Sequence, residues 1–127
     1  QIYVDKSRHM ENEKVILALA ALAQGTRLDV FRILVSAEPE GLAAGEIARR
    51  LEVPHNTMSS HLGILSRAGL IRSERFSRSI VYRADLDTLR SVLAFLLKDC
   101  CGGRPEICAP LMAELTPCCQ PKANADV

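Results

Sequence analysis

Five cysteines crowd the C-terminal part of this chain: Cys100, Cys101, Cys108, Cys118 and Cys119. A thiolate can bind a soft ion, be oxidised, or act as a nucleophile, so this is where the chain has the means for chemistry. Adjacent Cα atoms are about 3.8 Å apart, closer than a disulfide normally spans, which disfavours a Cys100–Cys101 bond. Cysteine is often buried as a small hydrophobe, but five beside Gly and Pro in one short stretch make poor core residues. Cys100, Cys101 and Cys108 place three thiols within nine residues. Gly102-Gly103 permits a tight return between them and Pro105 stiffens it. A thiol enzyme would need an activated cysteine, such as a Cys-x-x-Cys pair or a basic partner. No Cys-x-x-Cys occurs, and His9, His55 and His61 are far away in sequence. An enzyme is therefore not expected, nor an organic cofactor.

A second constellation lies upstream. His55-Asn56-Thr57-Met58-Ser59-Ser60-His61 is a run of short or flat donors and acceptors around one apolar residue, and no long charged side chain occurs from Pro54 to Ser66. A surface pressed closely against a polar partner needs that chemistry, whereas a solvated helix face can carry Lys and Glu. Arg72, Arg75, Arg78 and Arg83 follow, with one Glu74 among them. Arginines on such a segment can pair with phosphates or enter a minor groove. The net charge of +1 hides an asymmetry. Residues 49–83 carry seven basic against two acidic side chains, while 1–48 carry five against seven and 84–127 four against six. A basic centre between acidic flanks points to a polyanionic partner, with a solvated charged face as the bland alternative.

The elements that must position these residues are mostly helical. The chain has 127 residues, 48% hydrophobic and only 4% aromatic, with no Trp. That composition is globular and leaves a core of Leu, Ile, Val and Ala, which suits packed helices. Good helix formers run over 13–23, with Val15, Ile16, Leu19 and Leu22 recurring at turns. Gly25-Thr26 then reads as a stop and N-cap. A second helix follows, with Leu28, Phe31, Leu34 and Val35 on one face, and ends before Pro39-Glu40-Gly41. A short third helix is expected over 43–51, with Ile47, Ala48 and Leu51 inward. Pro54 suits the first position of a fourth helix, which buries Met58, Leu62 and Leu65 and stops at Gly69. Leu70–Phe76 and Ser79–Arg83 then read as a hairpin around Ser77-Arg78. Asp85 or Asp87 caps a fifth helix over 85–98, with a seam of Leu86, Leu89, Leu93 and Leu96 widened by Val92 and Leu97.

A short helix, three-residue turn, helix and hairpin make a winged helix-turn-helix in a mainly α fold with a small β-hairpin. The second helix of such a unit reads the major groove from its N-terminal half. The DNA-binding residues expected are therefore His55, Asn56, Thr57, Ser59, Ser60 and His61, with Arg72, Arg75 and Arg78 on the wing. No apolar run approaches the roughly 18 residues of a membrane span. The opening residues lack the apolar stretch of a signal peptide. Residues 1–9 read as a remnant of an added tag, with Met10 as the natural start. Residues 10–99 then form the DNA-binding domain, and 100–127 a cysteine-rich segment and tail. A cytoplasmic protein with reduced thiols is expected.

Residues 17–98 resemble the ArsR/SmtB family of small metal-responsive repressors. The resemblance rests on Gly25-Thr26-Arg27-Leu28, on Asn56-Thr57-Met58-Ser59-Ser60-His61-Leu62 with Leu65, on Gly69-Leu70-Ile71, and on Ile80-Val81-Tyr82-Arg83. The wing turn departs from the pattern in lacking the Gly that many members carry. The resemblance implies a homodimer joined through its first and last helices, here about 13–23 and 85–98. It implies a repressor that binds a palindromic operator in double-stranded DNA.

The resemblance also bears on the inducer. Many arsenic-responsive members place a Cys-x-Cys pair before the recognition helix, where this chain has Ala43 and Gly45. Zinc-sensing members use acidic and His ligands on the last helix, and the comparable positions here, about Leu86, Thr88, Asp99 and Gly102, cannot form that site. This chain is similar instead to members with a vicinal Cys pair and a third Cys just after the last helix. Thiolates select soft ions. Trivalent arsenic takes three sulfurs in a pyramid, and antimony shares the preference. Zinc prefers four ligands and would need Asp99, Glu106 or a distal Cys. Cys100, Cys101 and Cys108 are thus the expected arsenic or antimony ligands, and Cys100 with Cys101 alone suffice for a methylated arsenical. Cys118-Cys119 reads as a second site or a capturing tail. The alternatives are another thiophilic metal, thiol oxidation, or a zinc-stapled interaction module.

Overall fold

The computed structural model describes residues 6–98, 106, 109–111 and 113–115. Helix α1 spans Lys6–Leu22, α2 Gly25–Ser36, α3 Ala44–Leu51, α4 His55–Arg67 and α5 Leu86–Lys98. Three short strands, β1 Leu42–Ala43, β2 Ile71–Phe76 and β3 Ser79–Ala84, form an antiparallel sheet in the order β1-β3-β2. The chain divides into two compact units, Gln1–Val92 and Leu93–Val127. In the second, the C-terminal part of α5 is followed by further helical residues at 106, 109–111 and 113–115. The fold is a winged helix-turn-helix, as the element order predicts.

The core of the first unit follows from helical spacing. Val15, Ala18 and Ala21 recur every three residues along α1 and are buried. Val30, Phe31 and Leu34 of α2, Ile47 and Ala48 of α3, and Met58, Leu62 and Leu65 of α4 join them. Leu70, Ile71, Ala84 and Val92 complete the set, and among the described residues no polar side chain is buried. Each fully buried Leu or Ile contributes about 1.5–3 kcal/mol relative to exposure.

Three local readings are corrected. Helix α1 begins at Lys6, well before residue 13, because Lys6 to Lys14 contains neither Gly nor Pro to stop it. The N-cap of α2 is Gln24, whose side chain accepts a 2.9 Å hydrogen bond from the Arg27 backbone N–H, not Thr26. Leu28 is exposed, and the buried stripe of α2 is Val30, Phe31 and Leu34. Pro54 is the N-cap of α4 rather than its first residue. One element was not anticipated: β1, too short to show a strand period, pairs Leu42 with Tyr82 and Ala43 with Val81.

The turns fix the rest. After α4, Gly69 takes φ +80°, the Gly69 N–H donates to Ser66 O and the Leu70 N–H to Leu65 O, an αL helix stop that feeds β2. Glu52 takes the same left-handed φ (55°) after α3, and Val53 N–H donates to Ala48 O. Ser77, at φ 59°, fills the left-handed place in the wing turn that a Gly would occupy more easily. Asp85 caps α5 by accepting from the Thr88 N–H at 3.1 Å.

Candidate nucleic-acid interface

Helix α4 has two faces set by period. Met58, Leu62 and Leu65 anchor it in the core, so His55, Asn56, Thr57, Ser59 and Ser60 are exposed. Its first turn holds no acidic residue, and Pro54 gives it no side-chain cap. Asn56 Oδ1 accepts from the Thr57 N–H at 2.8 Å, and Ser60 Oγ lies 3.4 Å from Asn56 O. A helix start with no carboxylate and no side-chain cap from the residue before it favours an anion. The preceding helix, α3, carries Arg49 and Arg50, but both pair with Glu46 on their own helix.

His61 differs from its neighbours. It is half-buried, and its Nδ1 lies 3.4 Å from an Arg27 guanidinium nitrogen on α2. The Arg27 Nε–H also donates to Ala21 O at 2.7 Å. Arg27 was not among the expected site residues; its place in the Gly-Thr-Arg-Leu run was the one signal for it.

The wing sorts its arginines by strand register. Arg72 faces Arg83 across the β2–β3 pair, and Glu74 faces Val81. Arg83 is taken up by Glu38, with contacts of 2.8 and 3.3 Å, and lies 3.6 Å from Glu74. It holds the base of the wing to the segment after α2 rather than meeting solvent as a free cation. The hydrogen bond from Arg83 holds the Glu38 carboxyl below its ordinary pKa, and Glu38 in turn raises that of Arg83. Arg72 is exposed but 3.8 Å from Asp85. Arg75 and Arg78, at the far end, are exposed and form no ion pair among the described residues. Phe76 lies between them and is also exposed.

Gly41, at φ +76°, lets the segment after α2 pass close to β3. A Cβ there would lie 2.5 Å from Tyr82 O and 2.7 Å from Arg83 Cγ. The bend seats β1 beside β3.

Cys100, Cys101 and Cys108, like Cys118 and Cys119, lie outside the described residues. Among the described residues no cluster of three His, Cys, Asp or Glu side chains could hold a metal. No described helix is long and apolar enough to cross a membrane.

A sequence-family profile described as a helix-turn-helix domain matches residues 22–74, from the end of α1 into β2. The transcriptional activator HlyU of Vibrio cholerae is 28% identical over 83 residues, covering 65% of this chain and 74% of that protein. An ArsR-like transcriptional regulator from a Rhodococcus species superimposes with a TM-score of 0.61 at 25% identity, covering 84% of this chain and 90% of that one. The homodimeric winged helix-turn-helix domain of Mb0332 from Mycobacterium bovis, a possible ArsR-family regulator, also gives 0.61, at 24% identity, covering 78% and 91%. The chain is thus similar to winged-helix transcriptional regulators, and none of these relatives is an enzyme.

Proposed function

We propose that this chain is a DNA-binding transcriptional regulator of the ArsR-like kind, acting as a homodimeric repressor that trivalent arsenic or antimony releases from its operator. The observation that carries the DNA reading is the exposed face of α4. It presents only short or flat polar side chains from His55 to Ser60, on a helix-turn-helix whose wing ends in Arg75 and Arg78, which form no ion pair among the described residues. Phosphate contacts from the wing set register, and donors on α4 read base edges.

The dimer reading has its own support. Ile16, Leu17 and Leu19 on α1, and Leu86, Leu93 and Leu96 on α5, are exposed in the single chain. Two apolar helix faces of this kind are what a subunit contact covers. The homodimeric neighbour from Mycobacterium bovis adds analogy. A two-fold dimer sets two copies of α4 about 34 Å apart for a palindrome.

The inducer reading rests on donor chemistry. Cys100 and Cys101 follow α5 after a single residue, Cys108 is seven residues further, and three thiolates suit a pyramidal trivalent ion. Thiols lose protons on binding it. Drawing them together at the end of α5 shifts that helix against its partner and spoils the half-site spacing. An allosteric coupling of about 1–3 kcal/mol weakens DNA binding roughly 5–150-fold. The test is arsenite titration of the protein–duplex complex, with Cys100, Cys101 and Cys108 changed to Ser one at a time. The parent should release DNA and each variant should hold it. Release by all three variants as by the parent rejects the assigned site. Because HlyU is named an activator, a promoter reporter with and without the protein decides the sign of regulation.

A further inference from the structure

We propose that Arg27 is a positioning residue for duplex recognition: its guanidinium ties the end of α1 to the recognition helix α4 and holds His61 with its ring proton on Nε2. The inference rests on the DNA-binding reading above. Ala21 lies in the last turn of α1, where carbonyls have no partner within the helix. The Arg27 Nε–H fills that need at 2.7 Å, as arginine often does at helix ends. The backbone N–H of the same residue is held by Gln24 Oε1 at 2.9 Å, which fixes the start of α2. The far end of the guanidinium then reaches His61 Nδ1 at 3.4 Å. One side chain thus touches the close of α1 and the middle of α4 from the first turn of α2.

The chemistry of this contact is directional. A guanidinium carries donors only. Its contact with Nδ1 therefore needs a lone pair there, so the neutral ring carries its proton on Nε2. That N–H is the ring's one donor, and guanine O6 and N7, adenine N7 and thymine O4 are the major-groove acceptors it suits. Thr57, four residues earlier on the same helix face, is exposed. His61 thus extends the reading face of α4 by one turn, with Arg27 behind it. Arg27 acts through His61, and phosphate neutralisation is left to Arg75 and Arg78. A displacement of α1 at a subunit contact would reach His61 by this route.

The test uses the full chain and the duplex that it selects from a random-sequence pool. Arg27→Met should lower affinity for that duplex roughly threefold to tenfold, the loss of one hydrogen bond's net contribution. The slope of log affinity against log salt should stay that of the parent, because every phosphate remains neutralised. His61→Ala should lose more, and Arg27→Met on top of His61→Ala should add little. Arg27→Lys keeps the charge but cannot make both contacts, so it should not restore affinity. In the free protein, the Nδ1 nitrogen resonance of His61 should move in Arg27→Met while that of His55 stays. A slope that falls by about 0.9 per molecule would make Arg27 a phosphate ligand and overturn the proposal. Multiplying losses in the double variant, or an unmoved His61 resonance, would overturn it too. If the parent binds no duplex, the DNA reading itself fails, while the resonance still reports on the bridge. Should Arg27→Met not fold, His61→Ala and Arg27→Lys carry the same comparison.

Discussion

At the scale of single residues, pairing decides which charges are free to work. Four arginines on the wing look alike in sequence, yet Arg83 is committed to Glu38, Arg72 stands near Asp85, and Arg75 and Arg78 are left for a partner. The Glu38–Arg83 pair has a pH signature. Glu38 titrates lower in the folded chain than in the unfolded one. Its contribution is therefore present above the unfolded carboxyl pKa and is lost as pH falls through the lowered folded value. Glu38→Gln should thus lower the melting temperature near neutral pH, with the difference from the parent shrinking toward zero in strong acid. Thermal melts of both proteins across that range check it, and a difference that persists at the lowest pH contradicts it.

At the scale of elements, turns and caps decide the geometry that the helical pattern leaves open. Met58, Leu62 and Leu65 are buried as their spacing predicts, and Gly69 stops α4 as its type predicts. These were legible because a helix period of 3.6 repeats over several turns and glycine has few competitors at positive φ. The start of α2 was not legible, because Gln24 caps it through a long side chain while Thr26 looked the better cap. Strand β1 was hidden for another reason: its two residues exist as a strand only by pairing with β3, far along the chain. The Arg27–His61 contact also joins distant positions and left no local trace. In the sequence Gly41 only marks the end of α2, yet its missing Cβ is what lets the chain pass Tyr82. Gly41→Ala should destabilise the domain by about 1–3 kcal/mol, from overpacking and an unfavourable φ together. Denaturant melts measure this; a neutral or stabilising change would mean that the bend is not needed.

At the scale of the whole molecule, reading a palindrome needs two copies of the chain. A single chain leaves Leu93 and Leu96 exposed on α5, one helix turn apart, with Ile16, Leu17 and Leu19 exposed on α1. Leu93→Glu should abolish dimerisation in sedimentation equilibrium while leaving the helical content intact, because the side chain is 46% exposed in the isolated chain. It should also cost most of the affinity for a palindrome, since a lone subunit engages one half-site without the other. A dimer undisturbed by that change would move the subunit contact elsewhere. If α4 and the wing grip duplex DNA, binding must depend steeply on salt. Affinity for the selected duplex should fall linearly on a log–log scale with added salt. Removing Arg75 and Arg78 together should make the slope shallower by about 0.9 for each phosphate no longer neutralised. Binding that ignores salt, or a slope unchanged by the double substitution, would mean that the wing does not hold the phosphates of a duplex.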